Sequence, residues 1–462
     1  MLFNSYIFLF VFLPVCYGVF WSLPSARARH VWLALSGYIF YGYWDPRFTL
    51  LMAFSTFVSF SAGLGFLRWS DRRARTICLV LPITIDLCLL GFFKYANFGL
   101  ETTRQLLQLF GTDVRVPHLN IILPIGISFY TFHTISYIVD SYRGVVTPTR
   151  NFFEFASYVS LFSQLVAGPI VRFKQIEGDL ENIGQSDRTR WLGRGVSFLC
   201  IGMVEKILIA DSIAGFVDPA LAHVDALSTL GAWLAMFGYS FQLYFDFSGY
   251  SSMAVGLGYL FGLRIPQNFN SPYKALDPSD FWRRWHISLS SCLRDYLYIP
   301  FGGNRGGEAR TYRNLMLTML IGGLWHGASW VFVAWGAYHG LLLGLYRRFG
   351  FRWDRMPVAV RQLSMFVAAV IGWVFFRSTD FGMAARLLAT MVIPTRGSSI
   401  DQIYLAVPLL GAAAWWAMIG PNPFEMRHEI GWRRGFALTA AAAACLALIA
   451  GTRTAPFLYF QF

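Results

Sequence analysis

Residues 314–346 read NLMLTMLIGGLWHGASWVFVAWGAYHGLLLGLY, thirty-three mostly apolar residues with Arg313 before them and Arg347, Arg348, Arg352 and Arg355 after them. Basic residues on both flanks favour a helical hairpin that enters a bilayer and returns to the same side. Inside the run stands His326. An ionisable side chain is costly in hydrocarbon unless it faces protein or a water-filled cavity, so it marks a candidate functional site. It follows Arg313 by 13 residues, on the order of 20 Å along a helix, which predicts a place deep in the bilayer or toward its outer half. Just upstream, residues 281–307 read FWRRWHISLSSCLRDYLYIPFGGNRGG. There a second histidine, His286, lies among tryptophans and arginines and is expected nearer the membrane surface.

Composition extends this reading to the whole chain. Of 462 residues 56% are hydrophobic, 18% aromatic and 14% charged, more apolar surface than a soluble fold of this size covers. Many runs approach the roughly 20 helical residues that span a hydrocarbon core, and none shows the alternation of a membrane barrel. The expected fold is an all-α polytopic membrane protein, one domain over residues 1–462 with its core motifs at 240–346. The net charge of +13 is spread through short loops between apolar runs and forms no continuous basic domain, so it indicates positive-inside topology and no nucleic-acid partner. The six cysteines, at 16, 78, 88, 200, 292 and 445, include no C-x-x-C pair and read as packing residues; no metal site is indicated. The run from Phe3 to Leu23 lacks the basic start of a signal peptide and reads as a retained helix.

Lys and Arg positions predict the topology. Basic loops after Leu23 and Leu67 place the first residues outside. A loop over Tyr95–Asn120 is expected outside and the loop with Arg143 and Arg150 inside. The run Phe152–Val171 ends in SQLVAGPIV and is followed by more basic residues, which predicts a re-entrant segment. Leu227–Leu263 is too long for one straight span and should tilt or break near its glycines. Arg264–Arg313, with eight Lys or Arg against four Asp or Glu, is the main cytoplasmic segment. Runs at Val358–Phe376, Ile403–Ile419 and Gly435–Ala450 complete the chain.

Among the polar residues, His326 is the leading candidate for chemistry. Trp325 and Gly327 flank it with a bulky ring and no side chain, as suits the wall of a tunnel, and desolvation favours a neutral imidazole that acts as a general base. A purely structural interhelical hydrogen bond is the alternative. His286 with Trp282 and Trp285 reads equally well as an interfacial anchor or as part of the site. Arg283, Arg284, Arg294 and Arg305 beside FGGNRGG offer a cationic surface for phosphate, although positive-inside charge explains them equally. His339 and His133 read as structural or supporting, the latter through a helix–helix hydrogen bond. Asp246 in QLYFDFSGYS is the acid most suggestive of function, whereas Asp86 and an expected Glu205–Lys206 pair read as bundle glue. No G-x-S-x-G, Walker or H-E-x-x-H motif is present, so the hydrolase, ATPase and metalloprotease readings lose support.

Taken together, FWRRWHISLS, DYLYIPFGGNR, GGLWHGASWVFVAWGAYHG, QLYFDFSGYSSMAVGLGYLFG, NFNSPYKALDPSDFW, SQLVAGPIVRF, VEKILIAD and FLYFQF resemble the membrane-bound O-acyltransferase (MBOAT) family over nearly the whole chain. The resemblance implies roughly eleven to thirteen transmembrane helices with re-entrant or interfacial segments around a central tunnel. His326 matches the family's active-site histidine, and His286 the second position of the pair. Also implied are an O-acetyltransferase of a bacterial inner membrane with periplasmic termini, acetyl-CoA as donor, no bound cofactor, and an exopolysaccharide such as alginate, or cellulose or peptidoglycan, as the final acceptor. Expected partners are a periplasmic SGNH-type acetyltransferase or acetyl acceptor and an exopolysaccharide biosynthesis complex, the tail around Tyr459 being one docking point. Ser252 departs from the family pattern, which commonly has Asp there. A transporter or flippase, or a structural partner of a polysaccharide synthase, is the competing reading.

Overall fold

The computed structural model describes residues 1–112, 116–166, 168–185, 187–429, 431–451 and 457–458, and its named elements are all helical. Contacts cluster into two compact units, one of residues 1–195 and 257–266, the other of residues 196–256 and 267–462. Among the described residues, Arg47–Arg68, Arg72–Leu109, Val358–Arg377 and Trp432–Gly451 are long and apolar enough to cross a membrane; Phe8–Ser22, Phe381–Val392 and Ile403–Met418 are shorter apolar helices.

The first unit contains α1 (Phe8–Ser22), α2 (Ala26–Gly42), α3 (Arg47–Arg68), α4 (Arg72–Leu109), α5 (Ile127–Tyr142), α6 (Phe152–Val159), α7 (Phe162–Leu165) and α8 (Phe173–Glu181). Local chemistry starts several of them: Ser25 and Asp71 accept from the backbone N–H of Ala28 and Ala74, at 3.2 and 3.0 Å, satisfying donors that a helix start leaves open. Phe12 and Phe162 meet edge to face at 5.3 Å, with Phe8 and Phe40 in the same cluster. Asp86 is buried and accepts from Ser55 (2.6 Å) and Thr134 (2.7 Å), tying α3, α4 and α5 together.

The expected re-entrant run breaks at Ser160–Leu161, and its second helix ends at Leu165, shortly before Gly168-Pro169. α6 and α7 have 8 and 4 residues, too few to cross a ~30 Å core, and Ala167 lies outside the described residues. Buried side chains take up backbone acceptors there: Gln164 Nε2 donates to the Tyr158 carbonyl at 2.7 Å and the Tyr158 hydroxyl to that of Val171 at 2.9 Å. Irregular backbone survives at depth only when so satisfied. Two expectations fail in this unit. The loop beginning at Tyr95 is helical as far as Leu109, because a π segment at Gly91–Tyr95 carries α4 into an extension braced by the Glu101–Arg104 pair. His133 makes no side-chain hydrogen bond across helices; its buried ring packs against Tyr158 at 5.6 Å, in surroundings that offer it aromatic faces.

In the second part of the chain α9 (Arg188–Met203) runs through a π segment (Val204–Asp211) into α10 (Ser212–Ala222). Next comes α11 (Thr229–Leu260), 32 residues without a break, about 48 Å long at ~1.5 Å per residue. Of the two outcomes expected for this run, breaking at the glycines does not occur. Its Gly249 instead meets Gly202 of α9 so closely that a Cβ on either would strike the other's carbonyl oxygen. Short helices α12 (Pro278–Arg284) and α13 (Ile287–Leu293) precede α14 (Glu308–His326) and α15 (Trp330–Trp353), followed by α16 (Val358–Arg377), α17 (Phe381–Val392), α18 (Ile403–Met418) and α19 (Trp432–Gly451).

α14 and α15 form the expected hairpin around the turn 327–329. A Cβ on Gly323 would strike the Phe332 carbonyl, and one on Gly336 the Met319 carbonyl, so the two backbones pack directly on each other. Small residues permit this approach between membrane helices. Gly336→Ala should therefore destabilise the protein by about 1–3 kcal/mol, read as a lowered unfolding midpoint in detergent micelles. Gly344→Ala, whose methyl would meet Tyr312 at an ordinary 3.5 Å, should leave the midpoint unchanged or slightly raised.

Candidate active site

The hairpin turn delivers His326. It is the last residue of α14; Gly327 continues in extended conformation (φ −161°, ψ 148°), and Ser329 caps α15 by accepting from Val331 N–H at 3.3 Å. A Cβ at Gly327 would overlap the Phe332 ring, so glycine is required at the turn. The imidazole is 4% exposed and walled by rings: Trp325 and Trp335 at 5.0 Å each, Phe376 at 5.4 Å.

His286 lies beside it. The two imidazole centroids are 6.5 Å apart, and His286 is completely buried. The expectation of one histidine near the surface and one deep is thus corrected. The segment before α13 folds inward and seats both rings at one place, with Phe247 edge-on to His286 at 4.7 Å and Trp325 at 6.2 Å. The backbone of His286 is left-handed (φ +43°, ψ 55°), uncommon for a residue with a side chain and held only where neighbours determine it. Two rungs do so: Ile287 N–H donates to the Asn268 carbonyl (2.8 Å) and Asn270 N–H to that of Arg284 (2.9 Å). Burial pushes the His286 pKa below that of an ordinary imidazole, which favours the neutral ring.

The aromatic residues expected along a tunnel fall into two layers. Trp325 touches both histidines. Trp282 reaches His326 through Trp335 (5.8 Å) and packs on His339 (5.2 Å), while Trp285 packs on Trp373 (4.7 Å) and Phe269 (5.1 Å). His339 stands behind Trp335 at 4.9 Å, one ring removed from His326. Asp246 turns to another task. Its carboxylate pairs with Lys206 at 2.5 Å and accepts from Leu458 N–H at 2.9 Å, and Lys206 also pairs with Asp211 at 2.7 Å. The expected Glu205–Lys206 pairing does not form, because neighbouring residues on a helix point to different faces. Glu205 instead accepts from Ser252 (3.0 Å) and Ser248 (3.3 Å).

The arginines lie at the periphery. Arg283 and Arg284 pair with Asp280 at 3.6 and 3.0 Å, Arg294 with Asp295 at 2.7 Å, and Arg305 is exposed in a loop whose glycines 302, 303, 306 and 307 all have positive φ. Residues that sequence reasoning passed over include Asn268, Phe247, Trp335 and Phe376. A faint signal existed for Asn268, which sits inside the NFNSPY block. Phe457, expected in an external tail, is buried against Tyr250 (4.7 Å) and Phe247 (5.8 Å), whereas Tyr459 lies outside the described residues. An apolar cavity of about 580 Å³ between α15 and α16, lined by Tyr338, Leu342 and Ala368 among others, holds neither site histidine.

Two imidazoles enclosed by aromatic rings, on a chain of apolar helices, suit a membrane-embedded transferase working with water excluded. The profile of the membrane-bound O-acyltransferase family, MBOAT, matches residues 120–384, and the chain belongs to this family of acyltransferases. It is 45% identical over 402 residues to a probable alginate O-acetylase of Azotobacter vinelandii, covering 85% of this chain and 78% of that protein. A protein of the same description from Pseudomonas putida is 38% identical over a 497-residue alignment that covers both chains completely. A peptidoglycan O-acetyltransferase of Helicobacter pylori is 37% identical over 426 residues, covering 85% of this chain and 80% of the other.

Removing one partner from a buried ion pair costs about 3–5 kcal/mol, because the other charge is left without compensation. Lys206→Met should accordingly lower the yield of folded protein and the unfolding midpoint sharply. The double variant Lys206→Met with Asp246→Asn should recover part of the loss.

Proposed function

We propose that this chain is an O-acetyltransferase of a bacterial inner membrane that passes acetyl groups from cytoplasmic acetyl-CoA toward an exopolysaccharide. The observation that carries the reading is the histidine pair, His326 and His286, held 6.5 Å apart inside aromatic walls. Similarity to enzymes described as alginate and peptidoglycan O-acetyltransferases supports acetyl as the group and a cell-envelope polymer, alginate-like foremost, as its destination. The rest of the reading is a bundle of roughly eleven to thirteen crossings around a tunnel, periplasmic termini, and a periplasmic SGNH-type acetyltransferase or other acceptor within an exopolysaccharide complex.

In this mechanism a ring nitrogen of His326 takes the proton of the acceptor hydroxyl as its oxygen bonds to the thioester carbonyl carbon. The tetrahedral intermediate collapses, the C–S bond breaks, and the thiolate leaves as free thiol with the proton returned from His326. Trp325, Trp335 and Phe376 exclude the water that would hydrolyse the donor. His286 supplies the second polar contact at the reacting centre, and Arg283, Arg284, Arg294 and Arg305 attract the phosphates of the donor from the cytoplasmic side.

Purified protein in nanodiscs, given radiolabelled acetyl-CoA and a periplasmic acceptor, tests this reading. Wild type should label the acceptor, and His326→Ala should lower the rate by roughly 10²–10⁴-fold, the usual contribution of a general base. Transfer by His326→Ala at the wild-type rate would remove the base assignment. A folded, partnered wild type that consumes no donor would favour the transporter reading.

A further inference from the structure

The Asn268 side chain is buried between His286, Ser288 and Ser251. Its Oδ1 accepts from the backbone N–H of Ser288 (3.3 Å) and from the Ser288 hydroxyl (2.8 Å), and its Nδ2 donates to Ser251 Oγ at 3.2 Å. A backbone N–H can only donate. The reverse amide orientation would set Nδ2 against that N–H, donor against donor, so the Ser288 backbone fixes which end of the amide faces this corner. His286 Nδ1 lies 3.1 Å from the same Oδ1. Facing an oxygen that only accepts, Nδ1 must carry the ring's proton, and in a neutral imidazole the other nitrogen then holds the lone pair.

We infer that Asn268 is a positioning residue for the reaction: it holds His286 as the Nδ1–H tautomer and keeps the basic lone pair on Nε2. The inference rests on the reading of His286 as part of the acyl-transfer site. The same asparagine also fixes the ring's place, since its carbonyl receives the Ile287 N–H that helps hold the left-handed backbone at His286. Main chain and side chain of one residue therefore set both where the imidazole stands and which nitrogen accepts. For a group that receives a hydrogen bond or a proton from the substrate, the wrong tautomer presents a donor where an acceptor is needed, and the correct geometry does not compensate.

Two variants separate the amide's roles. Asn268→Leu keeps the branched shape, at a somewhat larger volume, and removes the acceptor. Asn268→Asp keeps an acceptor, and the donors from Ser288 and His286, with the Ser251 hydroxyl turned from accepting to donating, suit a carboxylate. Protein labelled with ¹⁵N-histidine and reconstituted in bilayers reports the tautomer by NMR, the His286 signals being assigned by their loss in His286→Gln. Wild type and Asn268→Asp should show a protonated Nδ1 and an unprotonated Nε2, and Asn268→Leu should lose that pattern. Acetyl transfer should fall by roughly 10²-fold in Asn268→Leu and recover to within about ten-fold of wild type in Asn268→Asp. A proton on Nε2 in the wild type, or an unchanged tautomer in Asn268→Leu, overturns the inference whatever the activity. If Asn268→Leu loses the tautomer yet transfers acetyl at the wild-type rate, the positioning role falls together with His286's part in the chemistry, whereas the wider reading is still judged by His326→Ala. Should Asn268→Leu fail to fold, the wild-type spectrum and Asn268→Asp decide.

Discussion

The direct backbone approach of α14 and α15 is the constraint on which the candidate site depends. At Gly323 and Gly336 there is no room for a side chain, so the two helices close to the distance at which their backbones touch. That closeness makes a turn of only three residues possible, and the turn leaves His326 as the last helical residue, between Trp325 on its own helix and Trp335 on the next. Wider separation would move Trp335 away from the imidazole and open its enclosure. Packing that looks merely structural is therefore the first determinant of the chemistry.

The membrane-type helical fold and the hairpin were legible because their signals are local: apolar runs of spanning length, arginines at their ends, and a Gly-Pro close to the broken run. His326 of the candidate site stood out too, since a histidine in an apolar run is conspicuous. Relations between residues were not. His286 and His326 are 40 positions apart, and only the inward fold of the segment before α13 joins them. In the same way Lys206 reads as the partner of its neighbour Glu205, yet helix geometry turns the two apart and gives the lysine to Asp211 and Asp246 on other turns and another helix. The extension of α4 beyond Tyr95 was hidden for a different reason. Its residues are polar enough to pass for a loop, and helical continuity depends on the π segment that precedes them.

Charge is used in two distinct ways. Arginines around the short helices α12 and α13 pair with local acids at partly exposed positions, where ion pairs contribute little to stability but keep a cationic surface in place. Inside the second unit, one lysine holds two aspartates and a carboxyl group rests on two serines. There each of these charged groups has a polar partner, as burial requires. Histidines 286 and 326 belong to neither set: rings make up much of their surroundings, and His286 Nδ1 meets the Asn268 amide oxygen at 3.1 Å.

Phe457 packs on Phe247, which in turn meets the His286 ring edge-on, and the neighbouring Leu458 N–H reaches Asp246. The ring that backs one wall of the site is thus supplied by a residue made long after the histidines. During synthesis His286 and His326 are made well before residue 457 leaves the ribosome, so for that interval Phe247 faces His286 without the ring that backs it. Completion of this packing is therefore a late folding event, set by the arrival of two residues and separable in time from insertion of the helices that carry the candidate site.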